Sequence, residues 1–465
     1  MLRRGLGSIQ IQLISLGGIV GSAYFLGIGE VVAENGVFAI LAFILGGLIV
    51  WLVSMAMGEL CVGMMREGSF IAHSAELIGK PWAAGVGWSY WFNWCAYIPS
   101  EMVAGGFILH QFLPEISVMA WATCFAVLIT AVNLLQVKYL GWIESFLAFL
   151  KIGAMIGFII LAGMIWFCWI GTPCVGDMTP SLAKVVYHVP PQFGIYSFLA
   201  TMVLVLVNFQ GTELIALSAA EATDPERSIP KATRNVVLRT VLLFVLPLSM
   251  LILIFPAGTG SVEKSSFVEA LSHHGLLRVA GCFQAVIVMA ALSCANSGLY
   301  GATRSLYSLG KLNLGPRAMT KVSAQGVPHF ATWMTIAVSW SFLPLYIFFE
   351  GSQFYTWLLG VSGFTGAICW ISISWCQIQF RNKIRKESGS EASLLYKMPL
   401  FPYLSGLAVV LQLMCLMFMV FHPTLRQSLI LGIPAFAIPF VGYWCWERCS
   451  TTRMVPKFDH LERFM

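Results

Sequence analysis

Apolar runs long enough to cross a membrane recur along the whole chain, and that repetition restricts the fold more than any single motif. A spanning helix needs about 20 predominantly apolar residues. Read this way, the sequence holds about twelve such runs. They begin near residues 8, 36, 82, 116, 142, 193, 236, 279, 330, 354, 400 and 429. Only 10% of residues are charged, against about 25% in ordinary soluble domains. The expectation is an all-α polytopic membrane protein with about twelve transmembrane helices and no soluble domain. Arg3 and Arg4 precede the first run as in a signal peptide. That run carries its own glycine break and leads into a second span, so it reads as a retained helix.

Positive charge sets the expected orientation. With a cytoplasmic N-terminus, the inner loops collect Arg66, Lys80, Lys138, Arg227, Lys231, Arg234, Arg239, Arg304, Lys311, Arg317, Lys321 and the basic cluster from Arg381 to Lys397. The outer loops hold Lys184, Lys264, Arg278 and Arg426. This imbalance follows the positive-inside rule and puts both termini in the cytoplasm. The net charge of +6 is then a matter of topology, and no nucleic-acid partner is needed to explain it.

Two spans are interrupted. Residues 208–213 read NFQGTE, which places Gln210, Gly211 and Glu213 well inside an apolar stretch that begins near Phe193. A glycine there weakens the helix, and a carboxylate at that depth is costly unless it meets water, a partner or a proton. The first span carries GGIVGS at 17–22, at broadly similar depth but on a helix running the other way. Two broken helices five spans apart in opposed orientation are what a five-plus-five inverted repeat predicts. The repeats would be 8–169 and 193–380, with two accessory helices at 399–447. Close helix packing is the simpler use of such glycines.

The breaks suggest chemistry for a small polar solute. Free N–H groups at Gly21, Ser22 and Ala23, backed by a helix dipole, suit a carboxylate. Carbonyls at Ile19, Val207 and Phe209 suit an ammonium. The Ser22 hydroxyl either joins the site or bonds its own helix. Glu101 lies too deep in the third span for easy solvation. It is a candidate proton carrier, a selector for a cationic side chain, or a cap for a kink after Pro99. Glu213 offers a similar choice between proton gating and steadying the broken helix. Lys151 falls about nine residues, or roughly 13 Å, into the fifth span. There it either exchanges a proton or snorkels to the interface.

The remaining conspicuous residues read as structural. Trp88, Trp91 and Trp94 recur at helical spacing and suit packing or interface anchoring. Ser293 and Asn296 either line a pathway or bond between helices. Asp224, Glu226, Arg227 and Lys231 form a charged inner loop. The twelve cysteines show no zinc-type spacing, and no outer-loop pair demands a disulfide. The eight histidines are scattered without HExxH spacing, so neither a membrane enzyme nor a cofactor or metal centre is expected.

Several of these runs carry a family likeness. GGIVGSAYFLGIG at 17–29, GWSYWFNW at 87–94 and GTELIALSAAEATDPERSIPKA at 211–232 resemble the first, third and sixth helices of amino-acid permeases of the amino acid–polyamine–organocation superfamily. SCANSGLYGATRSLYSLG at 293–310 with GVP at 326–328, and VSGFTGAICWISISWCQIQFR at 361–381, resemble the eighth and tenth regions. Ala23 stands where many relatives have glycine. The resemblance implies an amino-acid importer of the plasma membrane, working by proton symport with alternating access, or else an amino-acid exchanger. It implies a substrate site at Ile19, Gly21, Ser22, Ala23, Glu101, Val207, Phe209, Gln210 and Gly211. Lys151, Glu101 and Glu213 become the candidates for proton coupling, with a fifth-helix lysine taking the place that sodium fills in sodium-coupled relatives. One proton moved through about 150 mV supplies roughly 3.5 kcal/mol, enough for about 300-fold accumulation of a zwitterion.

Overall fold

The computed structural model describes residues 19–64, 69–133, 137–171, 190, 193–218, 235–255, 263–323, 327–349, 351–388, 394 and 396–450. Gly17, Gly18, the charged loop from Asp224 to Lys231 and the C-terminal tail lie outside them.

The described residues are overwhelmingly helical. In chain order the helices are α1 (Ser22–Phe25), α2 (Ile28–Asn35), α3 (Phe38–Gly63), α4 (Ser69–Leu77), α5 (Lys80–Phe112), α6 (Val118–Asn133), α7 (Val137–Trp166) and α8 (Ile195–Val207). They continue with α9 (Leu214–Ser218), α10 (Val236–Ile254), α11 (Ser266–His273), α12 (Leu277–Lys311), α13 (His329–Phe342), α14 (Gly351–Ser388), α15 (Tyr403–Phe418) and α16 (Leu425–Ser450). Among the described residues, eight helices are long and apolar enough to cross a membrane, and α6 and α8 are shorter apolar helices. α5 has 33 residues, about 50 Å at 1.5 Å per residue, and tolerates Pro99 in its interior.

The core forms around α5, which packs most extensively on α12 and α14. Small residues permit the close approach. A Cβ at Gly298 of α12 would collide with the Trp94 ring of α5. Trp94 also meets Tyr97 edge-on, with centroids 5.5 Å apart. Trp88 donates to the Leu314 carbonyl at 3.1 Å and Trp91 to the Thr335 hydroxyl at 3.0 Å. The three tryptophans are therefore packing residues, and Trp88 and Trp91 also hydrogen-bond to segments outside α5.

Large apolar side chains cover the outside. On α7, Phe146 and Phe149 are 67% and 65% exposed, as suits a surface that meets lipid. The opposite face of α7 is a buried stripe of Glu144, Ala148, Lys151, Met155, Phe158, Ala162 and Ile165. The alternating three- and four-residue steps keep one face inward over the whole length. Lys151 belongs to that face and does not snorkel along the lipid side.

α10 contains a π-helical segment, Val241–Val245, between two α-helical parts. There the Tyr24 hydroxyl donates to the Phe244 carbonyl at 2.7 Å. Cys95, Cys294 and Cys369 are buried in helices, while Cys124 is exposed. Cys168, two residues beyond α7, is disulfide-bonded, which corrects the expectation that no loop pair demanded a bridge. Spacing alone does not reveal which loop cysteines meet.

Candidate functional site

The first break opens α1 with a backbone donor already in use. Gly21 is extended, at φ −122 and ψ −166, and aims the Ser22 N–H across the interior. Both oxygens of Glu101 on α5 accept from it, at 3.0 and 2.9 Å. The Ser22 hydroxyl shares a 2.9 Å hydrogen bond with Tyr355 of α14, so it joins two spans instead of bonding its own helix. Gly21 is tightly enclosed. A Cβ there would collide with Glu101 Oε1 and lie 2.8 Å from both Cys294 Sγ and the Tyr97 hydroxyl. Ile19 and Ala23 flank the break and are buried.

The second break lies between α8 and α9. After Val207 the helix tightens to i→i−3 bonding, with Phe209 N–H on Leu206 O at 3.0 Å and Gln210 N–H on Val207 O at 3.1 Å. Gly211 follows at φ +103, a conformation that L side chains rarely adopt. Its N–H donates to Glu213 at 3.0 Å. Glu213 also accepts from the Tyr90 hydroxyl of α5 and from Trp370 Nε1 of α14, each at 3.0 Å. One carboxylate thus ties the broken turn to two long helices. The Phe209 carbonyl accepts from both Thr212 Oγ1 at 3.2 Å and the Thr212 N–H at 3.4 Å, whereas the Val207 carbonyl takes the Gln210 N–H. Gln210 donates to the Ser362 carbonyl at 3.1 Å and accepts from the Ser362 hydroxyl at 2.9 Å, a hydroxyl that also touches Asn93.

Lys151 connects the first break to a further acid. Lys151 is 2% exposed, and its ammonium interacts electrostatically with Cys294, Glu144 and Glu101. Glu144 stands two helical turns before Lys151 in the same buried stripe. It accepts from the Ser293 hydroxyl and from Asn296 Nδ2 of α12, each at 2.6 Å. Asn296 Oδ1 in turn accepts from Asn133 of α6 at 2.6 Å. Ser293 and Asn296 therefore bond between helices. Glu144 went unremarked in the sequence, although its seven-residue spacing from Lys151 places both on one helix face.

A buried ion pair lies away from the breaks. Arg381 of α14 holds Glu59 of α3 at 2.7 Å, with the two side chains 4% and 0% exposed. Gln377 and the Met398 N–H complete the shell around that carboxylate. It joins three segments distant in sequence.

An all-helical membrane bundle with two broken helices, and buried charges gathered where they break, belongs to the class of polytopic solute carriers. The family model for amino acid permeases matches residues 10–454, and the chain belongs to that family. It is 33% identical over 445 residues to the amino-acid permease RocC of Bacillus subtilis, covering 95% of this chain and 94% of that protein. It is 30% identical over 450 residues to the γ-aminobutyric acid permease of the same organism, covering 96% and 94%. Over 460 residues it is 30% identical to the lysine-specific permease LysP of Escherichia coli, covering 95% and 93%. The protein is thus a multi-pass membrane permease for amino acids and not an enzyme.

Proposed function

We propose that this permease imports an amino acid across the cell membrane by proton symport, with alternating access about the two breaks. The carrying observation is the Glu101 carboxylate seated on the Ser22 N–H. That N–H, at the start of a helix, is the donor a substrate carboxylate would use. Glu101 acts as an internal competitor for it. Protonating Glu101 weakens its hold and frees the donor, so the proton and the amino acid bind together. Lys151 passes the proton on, with Glu144 opposite its ammonium as the alternative charge partner. Glu213 holds the sixth break and leaves proton transfer to the Lys151–Glu101 pair.

The substrate ammonium meets the carbonyls of Ile19, Val207 and Phe209, and Gly21, Ala23, Gln210 and Gly211 shape the space between. The architecture in this reading is twelve spans, with inverted repeats at 8–169 and 193–380, accessory helices at 399–447 and both termini cytoplasmic. Support comes from the helix order and from the breaks at residues 21 and 211. Relatives named for lysine and for γ-aminobutyrate differ in the side chain carried, so a thermal-shift screen against the amino acids selects the substrate.

The test is uptake by proteoliposomes under an imposed pH gradient. Wild type should concentrate its substrate when the outside is acidic, and Glu101→Gln should bind it with little response to pH. Accumulation driven only by amino acid preloaded inside, with no response to the pH gradient, would make the protein an exchanger and overturn the symport reading.

A further inference from the structure

Away from both breaks, Glu30 and Glu34 of α2 and His422, just before α16, bring three metal-binding side chains together. One ligand atom from each lies within 4.8 Å of the others. The hydrogen bonds around them are incomplete. Thr356 Oγ1 donates to Glu30 Oε2 at 2.8 Å, and His422 Nε2 meets Glu34 Oε1 at 3.0 Å. The Leu425 N–H donates to His422 Nδ1 at 3.3 Å. Glu34 Oε2 is buried and makes no hydrogen bond with a described residue. No described lysine or arginine forms an ion pair with either acid.

We propose that Glu30, Glu34 and His422 bind a divalent transition ion of the zinc class. A buried, unpartnered carboxylate oxygen beside a second carboxylate is a place where positive charge is missing. One imidazole and two carboxylates suit zinc, whereas magnesium and calcium favour all-oxygen sets. Tetrahedral zinc holds its ligand atoms about 3.4 Å apart, given bonds of about 2.0–2.2 Å. Rotation of the two Glu side chains closes the remaining gap. Coordination through Nε2 replaces its hydrogen bond to Glu34 and, with the ring proton then on Nδ1, gives up the long Leu425 bond as well. Water fills the fourth position, and Thr356 orients Glu30 from outside the ligand set. The bound ion would fasten the second half of the first span to the connection before α16.

The experiment is calorimetric titration of ZnCl2 into the full-length permease in detergent, read beside its melting temperature. Cys445 and Cys449, exposed near the end of α16, are replaced by serine throughout to remove a competing thiol pair. The expected result is one ion per chain, a raised melting temperature, and no effect from the same concentration of MgCl2. His422→Gln and Glu34→Gln should each weaken binding by about tenfold or more. Each variant is first melted in EDTA, so that a folding defect in one leaves the other decisive. Absence of zinc binding by the parent protein overturns the proposal, as does unchanged stoichiometry and affinity in a folded variant. Transport is not part of the readout, so this outcome is independent of proton coupling.

Discussion

Both oxygens of Glu101 converge on the single backbone N–H of Ser22, a residue 79 positions away in the chain. The contact joins the most extensively packed helix, α5, to the point where the first span breaks. Anything that widens or fills the space between them should be felt by substrate before it is felt by the fold.

Gly21→Val is the most direct such change. The added side chain enters a space already bounded by Glu101, Cys294 and Tyr97. Overpacking of this kind costs about 1–3 kcal/mol, or roughly fivefold to 150-fold in affinity. Substrate-induced stabilisation should vanish while the protein still inserts and purifies. Normal affinity would remove the first break from the binding site.

Lys151→Ala should abolish pH-driven uptake while leaving substrate binding measurable, because the recognition groups lie on other helices. Lys151→Arg should not restore coupling, since a guanidinium does not release its proton in the working range. Concentrative uptake by the alanine variant, with a normal response to the gradient, would exclude Lys151 from the proton path.

Glu213→Ala removes the acceptor shared by Tyr90, Trp370 and the Gly211 N–H. Leaving buried donors unpaired costs about 1–3 kcal/mol each in water-soluble proteins, and less where a membrane lets them find other partners. The melting temperature should fall and binding should weaken, whereas Glu213→Gln should retain pH-driven uptake. A glutamine variant that folds and binds but no longer responds to pH would return Glu213 to the proton path.

Glu59→Ala strands Arg381 in a site where its side chain is 4% exposed. Removing one partner of a buried pair costs about 3–5 kcal/mol. Thermal melting of the Glu59→Ala, Arg381→Ala and double variants gives the coupling. The double variant should be more stable than either single one.

The sequence revealed features whose cause is local. The glycines at 21 and 211 interrupt apolar runs, and a charge such as Lys151 or Glu101 stands out against its own neighbours. Features made by distant segments were silent. Glu59 meets Arg381 across 322 positions, and Glu34 meets His422 across 388, with no local pattern to mark either pair. Glu144 falls between these cases, since its register with Lys151 was readable but its partners on α12 were not. Glu101 was legible as a buried acid, yet only the fold brought it to the Ser22 donor.

The π-helical stretch at Val241–Val245 amounts to one residue more than a regular helix would need. That extra residue sets the register in which the Phe244 carbonyl meets the Tyr24 hydroxyl at 2.7 Å. A single-residue deletion there would straighten α10 at the expense of the fully buried Tyr24 hydroxyl, which would lose its acceptor. The number of residues between 240 and 246 thus decides whether a side chain more than two hundred positions upstream finds its acceptor.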